Sequence, residues 1–210
     1  KTTNKELIKK SYENFPIWSS IYLRKLMPDL ASIYYFCRTV DDLSDLKKDI
    51  ALKELGKIEK SLDNCYKGIL IKDNNFFNLK KTINKYNLPK EDFQKLIQSN
   101  YQDLVKKRYE NFEELLNYCE LSANPVGNIV LKIFGEFNTN NLELSDRICT
   151  GLQLINFIQD INRDSEFNRI YMPIEDMKKF GANEKDILNR KQSEELTQMI
   201  KFSFEKKKKK

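Results

Sequence analysis

Two acidic clusters in this chain carry one spacing. Asp41-Asp42-Leu43-Ser44-Asp45 and Asp160-Ile161-Asn162-Arg163-Asp164 each place two aspartates four residues apart. Both clusters lie in stretches that read as helix, where positions i and i+4 share a face about one turn apart. Like charges so placed destabilise an isolated helix by roughly 0.2–0.5 kcal/mol per pair. Two such pairs, far apart in sequence, read as two jaws of a site for a hard cation. Magnesium fits, with manganese as the alternative, because it takes oxygen ligands, keeps several waters and is shared with substrate phosphates.

The second cluster has a polar extension. Gln153, Asn156, Asp160 and Asp164 are spaced three, four and four apart, which draws one stripe down a helix. Ser145 reads as the cap of that helix, over 146–164, with Ile148, Leu152, Ile155 and Ile158 as its apolar positions. A polar stripe beside an apolar one predicts a wet cavity inside a bundle. Taken alone, a DDxxD sequence is as readily a solvated helix end as a metal site. The second cluster favours the metal, because two independent coincidences would otherwise be needed. Arg38, one turn before Asp42, offers a bidentate donor to a diphosphate; the competing reading is a surface ion pair.

The elements that must position these residues are helices. Residues 3–14 read as a first helix, ended by Asn14-Phe15-Pro16. Pro28 fits the first position of the next, over 29–46, where Leu30, Ile33, Tyr34, Cys37 and Val40 lead to Asp41 on the inward face. Further helices are predicted over 48–70, 76–86, 90–107, 111–121 (capped by Asn111) and 122–137. The acidic helix and a last stretch over 191–205 follow. Lys72-Asp73-Asn74-Asn75 reads as a loop. With no strand signal, repeat or linker, the expected fold is a single all-α domain.

Composition agrees and excludes several chemistries. The 210 residues include only 6 glycines and 5 prolines, as expected of helices with short connections. There is no histidine, which rules out Ser-His-Asp and Cys-His catalysis. Cys37, Cys65, Cys119 and Cys149 form no CxxC pair, so a Cys/His zinc site is not expected and free buried thiols are. The net charge is +6, but Lys206 to Lys210 supply five of the 37 basic residues and the remainder is close to neutral. No nucleic-acid partner is expected, and the lysine run reads as a solvated tail or an artefact of the sequence, with a weak anchor to anionic lipid as the other reading. No run of about 18 apolar residues is present to span a membrane.

Two segments resemble a known family. Tyr34-Tyr35-Phe36-Cys37-Arg38-Thr39-Val40-Asp41-Asp42-Leu43-Ser44-Asp45 resembles the first aspartate-rich motif of squalene/phytoene synthases, and Gln153 to Pro173 resembles the second. The resemblance covers roughly residues 11–177. Glu13-Asn14-Phe15-Pro16 and Tyr118 to Gly127 are most similar to the bacterial hydroxysqualene synthase branch. Phytoene and dehydrosqualene synthases usually read VAGxVG where this chain has Ser122 to Gly127.

The resemblance implies an isoprenoid-synthase helical bundle with a central cavity and magnesium-dependent chemistry on a prenyl diphosphate, presqualene or farnesyl diphosphate. The expected reaction is conversion of presqualene diphosphate to hydroxysqualene or squalene with release of diphosphate. Phytoene or dehydrosqualene synthesis, and a non-catalytic binding or assembly member of the fold, are the alternatives. Asp41, Asp42, Asp45, Asp160 and Asp164 would hold metal. Tyr34, Arg38, Tyr118 and Asn156 would act at the reaction centre, where tyrosine rings can shield a carbocation. Arg38, Gln153, Asn156, Arg169 and Tyr171 would bind substrate, and Ala123 and Gly127 would leave an apolar slot open. The competing readings are core aromatics for Tyr34 and Tyr118 and close helix packing for Gly127.

Against that family the sequence is expected to be truncated at its C-terminus: a helical domain over 1–205, lacking closing helices, and a lysine tail over 206–210. So greasy a substrate implies a cytoplasmic protein in peripheral contact with the inner membrane, through Arg24, Lys25 and the tail.

Overall fold

The computed structural model describes residues 21–191 and 193–207. The expected helix over 3–14 and the Glu13 to Pro16 segment lie outside these. The described residues form eleven helices and no strand. They are α1 (Ile21–Ser44), α2 (Lys48–Tyr66), α3 (Asn74–Tyr86), α4 (Lys90–Val105), α5 (Phe112–Ser122) and α6 (Asn124–Phe134). Then come α7 (Thr139–Gln159), α8 (Ile161–Glu166), α9 (Ile174–Phe180), α10 (Glu184–Leu188) and α11 (Glu194–Lys207).

Local chemistry sets the boundaries. The Asp73 carboxylate accepts from the Asn75 and Phe76 N–H groups and starts α3. Asn111 accepts from Glu114 N–H and starts α5, and Asn138 accepts from Asn141 N–H and starts α7. Each cap satisfies a donor that the first turn leaves orphaned. At the other end, Gly135 closes α6 at φ 74°, a left-handed conformation that costs glycine little.

The helices pack around two apolar clusters. One joins α1 to α4 with α6, through Phe36, Val40, Leu55, Leu62, Phe93, Ile97 and Ile129. Phe36 meets Phe93 edge to face, with ring centroids 5.1 Å apart. The other joins α5 and α7 to the later helices, through Tyr118, Phe157, Tyr171, Met177, Ile187 and Met199. Between them α1 and α4 face α5, α7 and α8 across a polar cavity, so both acidic clusters open into one space.

Three expectations change. Pro28 lies inside α1 rather than at its start. The good helix formers Leu23 to Met27 carry the helix through it, although proline cannot bond back to residue 24. The acidic helix starts at Thr139 under Asn138, not after Ser145, and it breaks at Asp160 (φ −93°, ψ 9°) before α8. Ile148 and Leu152 do not face the core: they are 62% and 53% exposed, and with Leu144 they form a stripe on the outer side of α7. Leu154 and Phe157 are buried instead. Helices α9 and α10, in a stretch with no clear period, were not expected.

Candidate active site

The first acidic motif occupies the end of α1. Asp41 faces the cavity and accepts from Asn100 Nδ2 at 3.4 Å. Arg38 reaches down one turn to Asp42 at 2.7 Å, a pair about half exposed on both sides. Asp45 is gripped from across the cavity by Arg163 Nη2 at 2.9 Å and Arg169 Nη1 at 3.0 Å. Arg169 Nη2 also donates to the Ser44 carbonyl at 2.5 Å and to Ser44 Oγ at 3.2 Å. A guanidinium against the last carbonyls of a helix complements its negative end.

The second motif straddles the α7–α8 break. Asp160 N–H still donates to the Asn156 carbonyl at 2.8 Å, and Asp164 N–H to the Asp160 carbonyl at 2.8 Å, so these two bonds bracket the break where the helix is re-aimed. The chain then runs beside residues 107–110. Ile170 N–H bonds the Lys107 carbonyl at 3.0 Å, Ile174 N–H that of Tyr109 at 2.8 Å, and Glu175 N–H that of Glu110 at 3.0 Å. Arg108 clamps Asn168, and Asn168 turns through φ 56°, a left-handed conformation asparagine tolerates. These bonds hold Arg169 and Tyr171 in the wall.

The cavity measures about 530 Å³. Tyr34, Arg38, Asp41, Asp42, Asp45 and Tyr118 line it, and so do Gln153, Asn156, Asp160, Asp164, Arg169 and Tyr171. Asp41 is open to cavity water, yet protein encloses it on its other sides. That lost hydration raises its pKa to about 6, against an opposing effect from Asn100. Burial likewise raises Asp164 to about 7, opposed by Arg169 and reinforced by Asp160. Partial solvation limits both shifts.

Charge is distributed unevenly. Asp42 and Asp45 are paired with arginines, whereas Asp41, Asp160 and Asp164 form no ion pair among the described residues. No group of three or more acidic, histidine or cysteine side chains there closes a metal shell alone. Carboxylates that lack a partner cation fit a divalent ion whose remaining ligands are water and phosphate oxygens.

Two expected residues lie elsewhere. Gly127 is outside the cavity lining: a Cβ there would meet Ser145 Oγ at 2.3 Å and Cys149 Sγ at 2.7 Å. It lets α6 and α7 touch and leaves no slot. Ala123 is buried at the α5–α6 junction and also misses the lining.

Several lining residues went unread, among them Ser44, Asn100, Asp103, Ser122 and Arg163. Asp103 is 5% exposed and accepts from Tyr118 Oη at 2.6 Å and Tyr171 Oη at 2.9 Å. Burial raises its pKa, opposed by Tyr118 and Arg169. The signal was present: Asp92, Ser99, Asn100 and Asp103 lie on the buried side of α4 with Phe93, Leu96 and Leu104. Ser122 Oγ is buried without a hydrogen-bond partner.

Helical bundle, twin acidic motifs and cavity together define a class, and comparison with known proteins agrees. The squalene/phytoene synthase family model matches residues 8–209, and the chain belongs to that family. It is 31% identical over 192 residues to a hydroxysqualene synthase from Rhodopseudomonas palustris, covering 90% of this chain and 64% of the relative. It is 34% identical over 182 residues to one from Zymomonas mobilis, covering 83% and 59%. The chain thus spans about three fifths of these curated relatives' length. Among solved structures it is similar to the squalene synthase HpnC from Alicyclobacillus acidocaldarius, with a TM-score of 0.85, 38% identity and coverage of 98% of this chain and 78% of that one.

Proposed function

We propose that this chain carries out magnesium-dependent ionisation of a prenyl diphosphate, converting presqualene diphosphate to hydroxysqualene with release of diphosphate. The carrying observation is that both aspartate pairs open into one cavity with three carboxylates left unpaired by cations. Asp41, Asp160 and Asp164, with Asp45 beside them, would hold the ions. When bound, magnesium supplies Lewis-acid neutralisation of the departing diphosphate. Arg38 and Arg169 border the same space and complement phosphate oxygens. Tyr34, Tyr118, Tyr171 and Phe157 line the cavity as an aromatic wall that would attract a cation, and Gln153 and Asn156 would orient polar groups, including an attacking water. The hydroxysqualene synthase names of two relatives, and the sequence from Ser122 to Gly127, support this product over phytoene or dehydrosqualene.

A second reading, a non-catalytic member that binds diphosphate, is favoured by the mostly polar cavity wall, which offers little surface to a hydrocarbon. No described helix is long and apolar enough to cross a membrane, so contact with a lipid source would be peripheral. The test is turnover of presqualene diphosphate and, separately, farnesyl diphosphate with magnesium, beside Asp160→Asn. Hydroxysqualene lost in the variant upholds the proposal. A C30 or C40 hydrocarbon from farnesyl or longer diphosphates changes the branch, and magnesium-dependent binding without product favours the second reading.

A further inference from the structure

We propose that Asp103 is a positioning residue for this reaction, acting through Tyr118 and Tyr171 to hold an electron-rich aromatic wall against the cation. The inference rests on the functional reading above. Its geometry is specific: Tyr118 donates to Oδ2 at 2.6 Å and Tyr171 to Oδ1 at 2.9 Å, so one carboxylate holds both phenols, one on each oxygen. Asp103 comes from α4, Tyr118 from α5 and Tyr171 from the segment after α8, so the contact joins three separate pieces of the wall.

The rings they hold are packed together. Tyr118 and Tyr171 have centroids 5.5 Å apart, and Phe157 stacks on Tyr171 at 4.2 Å with planes 13° apart. All four residues border the cavity. A phenol carries one proton, and here each gives it to Asp103. Tyr109 also stacks on Tyr171, at 5.6 Å, so the rings act as one stack; hydrogen bonding to a carboxylate in a low-dielectric site polarises each phenol and enriches that stack, which strengthens its attraction for a cation in the cavity. It also fixes each phenol oxygen in place and keeps either O–H from donating into the cavity. Nothing in the sequence resemblance assigned Asp103 a part.

Asp103→Asn tests this. The amide is nearly isosteric but offers one acceptor oxygen, so one phenol must accept from the amide NH2 instead of donating, and the negative charge on the partner is lost. With presqualene diphosphate and magnesium, kcat is expected to fall about 30-fold, the size of a desolvated cation–π contact. KM should move less than about threefold, because the ground state carries no cation. In Asp103→Asn/Tyr118→Phe the two losses should be strongly non-additive, since Asp103 acts through the ring. A Tyr118→Phe/Tyr171→Phe protein, which leaves Asp103 in place, should show the same kcat loss and serves if Asp103→Asn fails to fold. Unchanged kcat in a folded variant, or additive losses, overturns the role of Asp103 while leaving the function. A wild-type chain that turns over no prenyl diphosphate overturns the functional reading, and this role with it.

Discussion

The two acidic motifs have one spacing and opposite electrostatics. At the end of α1, Asp42 is paired with Arg38, and Asp45 just beyond it with Arg163 and Arg169. On α7 and α8, Asp160 and Asp164 have no such partners among the described residues, and Asp164 titrates at about 7. Two of the three arginines that neutralise the first motif come from beside the second. Identical spacing therefore yields one half in which protein cations neutralise two of three aspartates, leaving Asp41, and one half in which Asp160 and Asp164 are both left in need of a cation. A site of this kind can hold a metal among the unpaired carboxylates and an anion beside the arginines.

The largest expected effect on stability tests the bridge between the halves. Arg169 is 6% exposed and holds Asp45 and Ser44. Arg169→Ala should destabilise the fold by about 1.5–3 kcal/mol in urea denaturation, because Asp45 keeps only the exposed Arg163 and Ser44 loses a charged donor. Arg163→Ala, on the exposed pair, should cost less than about 1 kcal/mol. Equal costs would mean that the first half is not held by burial. Next, Asp164→Asn should lower turnover by about 10²–10³-fold, the scale of removing one charge-stabilising group, and should weaken magnesium binding in titration calorimetry. If the halves were equivalent, Asp42→Asn would match it; the expected loss there is below about tenfold.

The third expectation concerns pH. Asp41 titrates at about 6 and Asp164 at about 7, both above the ordinary 3.8. A carboxyl raised on folding contributes stability that is fully present below its unfolded value and is lost as pH rises through its folded value. Metal-free protein should therefore lose stability from about pH 4 to about pH 7 through these groups. Its Tm at pH 8 should rise on adding magnesium, and Asp164→Asn should flatten both responses in scanning calorimetry. A metal-free Tm that climbs over that window in wild type but not in the variant would reverse the assignment. The smallest effect belongs to the half-exposed Arg38–Asp42 pair: Arg38→Gln should change unfolding free energy by only about 0.3–0.5 kcal/mol.

Much of the site was legible because helix periodicity is local. Spacing by three and four placed Gln153, Asn156, Asp160 and Asp164 on one stripe, and all of them line the cavity. The same rule placed Asp41 on the inward face of α1. Periodicity failed where neighbours decide. Ile148 and Leu152 belong to an apolar stripe by sequence but face outward, because α6 meets α7 on the side of Ser145 and Cys149. Gly127 suggested a slot and instead lets two helices touch. Asp103 looked like one more polar residue among several.

What the chain alone determined is the inventory and its local geometry: helices, the cap at Asn111, and two carboxylate pairs each four residues apart at a helix end. These follow from interactions spanning a few residues. Only the tertiary structure decided which carboxylates are neutralised. Arg163 and Arg169 meet Asp45 across sequence separations of 118 and 124 residues, and Tyr171 meets Asp103 across 68. Such partners are chosen by helix packing, which no local pattern encodes, and charge and burial at the site follow from that choice.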